Sequence, residues 1–595
     1  MKMEAIIMSN NIPRPEYPRP QFVRSTWTNL NGEWEFYKDL SASGENRKLW
    51  LCEKFDETIT VPFCPESKLS GIGYTDFMDA VWYAKNVNIT EEQLSGRVIL
   101  HFGACDYFTT VYVNGEKVGT HRGGYTSFTF DITDSLHVGE NRIVVHALDD
   151  VRSRKQPAGK QSDKYQSYGC FYTRTTGIWQ TVWLEYVPET YIEKVKITAT
   201  DLGGAAALTV HLNKYVSEAM LKIEASFEGK AVASEEIHLS GIVSEGSFKV
   251  SDVHLWNVGE PNLYDIKYTL VIDGKEIDTA TGYFGIRRID IDVYKVRING
   301  KSVFQRLILD QGYYPDGIYT APSDDDLKRD IQLALDAGFN GARFHEKVFE
   351  ERSLYHADKM GYLVWGEYPN WGVETSDPDT LHAYVREWIE SVERDYNHPC
   401  IIGWCPYNEC IAQNNSHTQI DTNVEAIFDA TKAIDKTRPV IDTSGYVHTE
   451  RTDIYDVHDY NQDIEYWEKA MKDHSDGKWM KVDTYAHQKY KYFGKTPFMV
   501  SEYGGARWAP DNGEKTPSWG YGETPKSVED FCNRYCAITE TILGASNIMG
   551  FCYTQLTDIE QEQNGLYYYG REKKFPDEIY ARIKAATSKK AAIEE

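Results

Sequence analysis

Several things are scarce or missing in this sequence, and each absence removes a class of answer. No stretch approaches the 18 or more apolar residues of a membrane span. Near the start, only Ala5 to Met8 is apolar before Asn and Pro break the run, so no secretion signal is expected. The ten cysteines form no CxxC pair and outline no disulfide framework in a chain of 595 residues. Cys400, Cys405 and Cys410 cluster as a thiolate metal site would, but they read more simply as small apolar fillers around a buried strand. A reduced, cytoplasmic protein without metal or cofactor is the expectation. Positive charge is also scarce. With 64 Lys+Arg against 90 Asp+Glu, the net charge of −26 argues against nucleic acid or an anionic membrane as the main partner.

What is present looks globular: 41% hydrophobic and 26% charged residues. The length suggests about three or four domains. Aromatic residues make up 13%, with 41 Tyr and 15 Trp. Flat amphipathic rings suit the apolar faces of sugars and the cores of β-sandwiches alike, so they decide nothing alone.

Along the chain the pattern changes twice. Residues 1–190 read as all-β, with alternating runs at 98–102, 109–115 and 142–148. Asn114-Gly115 is a hairpin signal, because both residues accept positive φ. Residues 191–284 continue in β style with about seven short strands, the size of an immunoglobulin-like sandwich. From 285 to 595 short apolar runs alternate with helical patterns, which predicts βα units around a parallel sheet. Eight candidate strands (302–310, 342–346, 362–367, 401–409, 439–444, 454–460, 498–504 and 548–555) fit a (β/α)8 barrel, the TIM barrel.

Such barrels carry their chemistry at the C-terminal ends of the strands. There the sequence places Arg343 and His345, Glu367, Asn408 and Glu409, His458 and Tyr460, and Glu502, with Asp310 on the first strand. Two glutamates facing one another can cleave a glycosidic bond, one protonated to release the leaving oxygen and one ionised to attack. The Asn beside Glu409 can hydrogen-bond the sugar hydroxyl next to the reacting carbon. Any one of these carboxylates alone is as well explained by loop capping or an Arg partner. A non-catalytic carbohydrate-binding protein is the competing class, although binding alone needs neither glutamate. A metal-dependent hydrolase is disfavoured, for the first strand lacks an HxH pair.

The motifs then resemble those of glycoside hydrolase family 2, over nearly the whole chain. TWTNLNGEWEF (26–36), VYVNGEKVGTHRGGYTSF (111–128) and TGIWQTVWLE (176–185) are similar to the family's sugar-binding jelly-roll. RDYNHPCIIGWCPYNE (394–409) is similar to its acid/base signature, and FMVSEYGG (498–505) to its nucleophile segment. The resemblance implies a retaining exo-acting β-glycosidase with Glu409 as acid/base and Glu502 as nucleophile. It also implies site-lining roles for Arg343, His345, His458 and Tyr460; Asn408 and Glu367, from their strand ends, and Trp519 are expected to bind substrate with them. By analogy with the family a homo-oligomer is expected, with a small carbohydrate as the only other partner.

Two departures bear on the sugar. The family's β-glucuronidases carry an Asn-x-Lys pair after the eighth strand, where this chain reads IEQEQNGLYYYG (559–570) with no Lys before Gly565. Thr554 stands where the family usually has Trp; Trp508, Trp519 or Tyr521 could supply an aromatic wall instead. A galactose-configured sugar is therefore the first expectation, neutral or with a carboxylate held by Arg343, Lys347, Arg306 or Arg507. A glucuronide is the alternative.

Overall fold

The computed structural model of the chain describes residues 12–375, 377–410, 419–478, 492, 494–510 and 518–594. The early apolar stretch, Ala5 to Met8, lies outside them. Three bodies follow one another, and each arises from a different apolar periodicity.

In the first, alternation closes two sheets face to face. A six-stranded sheet includes Ala80–Ile89, Phe108–Val113 and Gly139–Leu148; a four-stranded sheet includes Arg97–Phe102 and Val182–Val187. Their inward residues, among them Trp34, Tyr83, Leu100, Val111, Ile143 and Leu184, form one buried cluster. Each such side chain contributes about 1.5–3 kcal/mol. The hairpin at Asn114-Gly115 forms as expected, with φ of 50° and 85°.

The second sandwich differs from the reading of about seven short strands. It has five, and two are long: Ala205–Phe227 and Lys230–Lys249. The first half of Ala205–Phe227 pairs with Ile192–Ala199 and its second half with Tyr264–Ile272. Register shifts between His211 and Ala219 bend it from one layer into the other, so one strand does the work of two. Phe22 packs into this core although it precedes the first sandwich. Beside it, Val23 bridges Thr281, and Arg24 pairs with Glu185 and Asp278 at 3.0 and 2.8 Å.

The third body is the TIM barrel. Seven parallel strands run in spatial order Ile401–Cys405, Leu363–Glu367, Gly341–Phe344, Gln305–Asp310, Gly550–Thr554, Phe498–Gly504 and Tyr455–Asp459. The expected fifth strand, 439–444, is a correction: it makes only two isolated parallel bridges, Trp404 to Val440 and Asn408 to Ser444. Its end is buried and polar. Backbone bonds still tie it to the fourth strand, from the Ile441 N–H to the Trp404 carbonyl at 2.9 Å and from the Ser444 N–H to the Tyr407 carbonyl at 2.8 Å, and side chains add to them: Asp442 binds His448 and Thr449 at 2.6 Å, and Ser444 binds Asp456 at 2.6 Å. The outer helices are amphipathic. Asp324–Asp336, for example, is capped by Ser323, whose Oγ accepts the Asp326 N–H, and buries Leu327, Ile331 and Ala334. Cys400, Cys405 and Cys410 all lie in the barrel core. Among the described residues, no helix is long and apolar enough to cross a membrane.

Candidate active site

The strand ends bring eight of the nine expected site residues into one hydrogen-bonded assembly. Arg343 is its hub. Its guanidinium donates to Glu367, to Glu502 Oε1 at 3.0 Å, to the Ser501 carbonyl at 2.9 Å and to Asn408 Oδ1 at 3.1 Å. One side chain thereby ties four strand ends together, which suits the rigid fork of Arg. His345 Nδ1 lies 2.8 Å from Glu367 Oε2. With its oxygen bound to Arg343, Asn408 is oriented so that its amide NH2 stays unbonded.

Local backbone geometry aims the two glutamates. Register shifts at Val457/His458 and at Val500/Tyr503 place bulges beside His458 and Glu502, and bulges re-aim side chains. Glu409 adopts φ 51°, the left-handed region, with its N–H held by the Ser444 carbonyl at 2.8 Å. A non-glycine residue there costs about 1–3 kcal/mol, which the surrounding packing must sustain. The result is that His458 lies between the acids, with Nδ1 2.7 Å from Glu409 and Nε2 3.4 Å from Glu502 Oε1. The donor atoms of Glu409, His458 and Glu502 all lie within 4.8 Å of one another. Asp358, His398 and Cys400 form a second such trio, also buried. In both trios the imidazole Nδ1 is already bonded to a carboxylate, and that hydrogen bond accounts for the grouping.

Charge is unevenly shared. Burial pushes the Glu409 carboxyl up, but the hydrogen bond and charge of His458, helped by Lys160, outweigh it and hold Glu409 at about 2. Burial works against charge on His458 as well, yet Glu502 and Glu409 raise its pKa. The pair is an ion pair with its proton on the imidazole. Burial, Lys160 and Arg343 instead depress His345. Tyr460 donates to Glu502 Oε2 and stands 3.3 Å from Thr554 Oγ1. Its ring stacks on Tyr521, centre to centre 3.4 Å.

Trp519 is the expected residue that stands apart. It meets Tyr521 edge-on at 5.2 Å and donates to the Gly169 carbonyl, two rings away from Glu502. Among the proposed carboxylate-holding cations, Arg306 is a correction. Near the start of its strand, it binds Glu594 and the Thr587 and Lys589 carbonyls, at the opposite face of the barrel. Lys347 is spent on the Gly312 and Tyr319 carbonyls, and Arg507 on Ser518.

Sequence reasoning missed what the first sandwich brings to the mouth. Tyr172 donates to Glu562, which also accepts from Asn564 at 2.9 Å. Lys160 is only 6% exposed, and its ammonium sits 3.6 Å above the Trp371 ring. Its loop is pinned there by the Ala158 and Gly159 N–H groups, both bonded to the Trp371 carbonyl. Gly159 has φ 55°, and a Cβ would fall 2.3 Å from the Glu346 carbonyl, so glycine is required. No local pattern in the sequence says that this loop docks some 200 residues downstream.

Comparison with known proteins agrees with this architecture part by part. Residues 27–188 match the sugar binding domain of glycosyl hydrolases family 2, 190–287 the model described as glycosyl hydrolases family 2, and 321–543 the family's TIM barrel domain. A putative β-glucuronidase of Formosa agariphila is 28% identical over 66% of this chain, and a β-galactosidase of Thermoanaerobacter pseudethanolicus 29% over 55%. Those matches span under half of each relative, 47% and 44%. The solved Lactobacillus rhamnosus β-glucuronidase is similar in fold, with a TM-score of 0.79 at 20% identity over 97% of this chain and 99% of that one. With its three bodies matched in order along the chain, this protein belongs to glycosyl hydrolase family 2.

Proposed function

We propose that the chain is a retaining β-glycosidase that removes a terminal sugar by double displacement. The observation that carries this reading is the spacing of Glu409 and Glu502, whose nearest oxygens lie within 4.8 Å across His458. Retaining pairs stand about 5–5.5 Å apart and inverting pairs about 6.5–9.5 Å, which leaves room for water. Glu502, held by Arg343 and Tyr460, attacks the anomeric carbon. The leaving oxygen takes, by way of Glu409, the proton that His458 carries, and Glu409 then draws a proton from the water that releases the sugar. An aryl 2-deoxy-2-fluoro-β-glycoside is expected to label the peptide containing Glu502, as read by mass spectrometry. Labelling elsewhere, or none alongside normal turnover, would sink the assignment.

For the sugar, we infer a galactose configuration, neutral or acidic. The relatives include both β-glucuronidases and β-galactosidases. Where the glucuronidases' lysine is expected, this chain offers the buried acid Glu562 and Asn564. Rates on nitrophenyl β-galactoside, β-galacturonide and β-glucuronide test this, and a clear preference for glucuronide overturns it.

A further inference from the structure

Buried cations in this protein are satisfied by the chain. Lys574 binds Asp558 and the Gly565 carbonyl; Lys347 binds two carbonyls; Arg343 binds four acceptors. Lys160 differs. Its ammonium has no direct hydrogen-bond or ion-pair partner among the described residues; it lies over the face of Trp371, and Glu409, Glu346 and Glu502 act on it through charge alone. A cation–π contact and charges at a distance compensate the burial of this side chain only in part and leave all three N–H bonds free to donate. The group is also rigidly presented. The loop is pinned to the Trp371 carbonyl, and the Trp371 indole N–H is itself bonded to the Asn408 carbonyl at 3.2 Å. The ammonium is therefore indexed to the strand end that carries Glu409.

We propose that Lys160, supplied by the first sandwich, is a specificity-determining residue that binds an oxygen of the terminal sugar in the barrel mouth. The inference rests on the glycosidase reading. Its ligand chemistry is an oxygen acceptor, either a ring hydroxyl or a carboxylate. Specificity then comes from one body and bond cleavage from another.

The test compares wild type, K160M and K160R on nitrophenyl β-galactoside and β-galacturonide, with kcat, KM and the pH profile read separately and melting temperature as the folding control. A charge-assisted hydrogen bond lost on truncation corresponds to about 10–150-fold. K160M is expected to raise KM by that factor with a smaller change in kcat, and K160R to recover part of it. A loss confined to the galacturonide identifies a carboxylate, and equal losses identify a hydroxyl. An unchanged KM with lowered kcat and a shifted acid limb overturns the proposal, because Lys160 would then act only through the charge of Glu409. If wild type cleaves no glycoside, the glycosidase reading fails separately. Calorimetric binding of galactose and galacturonate to wild type and K160M then decides, and equal affinities refute the role of Lys160.

Discussion

Two regions of this chain bury carboxyl groups, and Glu409 fares differently from the others. At the barrel mouth Glu367, Glu409 and Glu502 surround Arg343 and His458; Glu409 is held at about 2 despite burial, whereas burial raises Glu367 even beside Arg343. In the first sandwich and where it meets the barrel, Glu66, Asp106, Asp149 and Glu387 are bonded chiefly to neutral donors. Gln156 reaches Asp149 at 2.6 Å, Gln161 reaches Asp106 at 2.9 Å, and Tyr368 reaches Glu387 at 2.7 Å. There burial prevails and pushes Glu66 up to about 8, Asp149 to about 7 and Glu387 to about 7, with Asp106 raised as well. The lesson is that burial alone does not decide ionisation. At Glu409 the bond and charge of His458, with the charge of Lys160, overcome burial; at Glu367 Arg343 does not, and where the donors are neutral burial prevails.

The comparison breaks first at the glutamates. Glu502→Gln and Glu409→Gln are each expected to lower kcat by about 10³-fold or more while the melting temperature stays close to wild type. Activity near wild type in either variant would remove the mouth's claim to its charges. Next comes the hub. Arg343→Met leaves Glu367 and Glu502 without their cation and is expected to cost about 3–5 kcal/mol of stability, measured by denaturant unfolding. A cost under 1 kcal/mol would mean the mouth tolerates unpaired acids as the interface does.

Gly159→Ala sharpens the link between the regions. Its strained φ and the 2.3 Å approach to Glu346 predict a loss of about 1–3 kcal/mol and a raised KM, checked by calorimetry and kinetics. The smallest effect is the pH dependence of the interface acids. Folding raises their pKa values, so the folded state binds more protons. Their contribution is fully present below about pH 4, where both states are protonated, and is lost as pH rises through about 7 to 8. Melting temperature is therefore expected to fall between pH 5.5 and 8.5, and Asp149→Asn to flatten the slope. A flat wild-type profile would contradict the assigned protonation.

Much of the architecture was legible in the sequence because period-2 and βα alternation are local signals. Seven of the eight strand segments were read, as were the acids at their ends. The fifth, 439–444, pairs with the fourth strand through two bridges and a few backbone bonds instead of a continuous ladder. The long strands of the second sandwich read as shorter ones because their bend, between His211 and Ala219, resembles a turn in sequence. Lys160 was invisible for a different reason. Its importance comes from which loop reaches the mouth, and that is a property of how two bodies dock.

The clasp at Phe22, Val23 and Arg24 carries a consequence for synthesis. Their partners Asp278 and Thr281 leave the ribosome roughly 260 residues after them. At ribosomal speeds of about 5–20 residues per second, the interval is on the order of 10–50 s. The first sandwich can collapse within that time and hold Arg24 through Glu185, while the contacts to Asp278 and Thr281 have to wait. Closure of the clasp thus reports that the second sandwich has been made, and it welds beginning to middle before the barrel is complete.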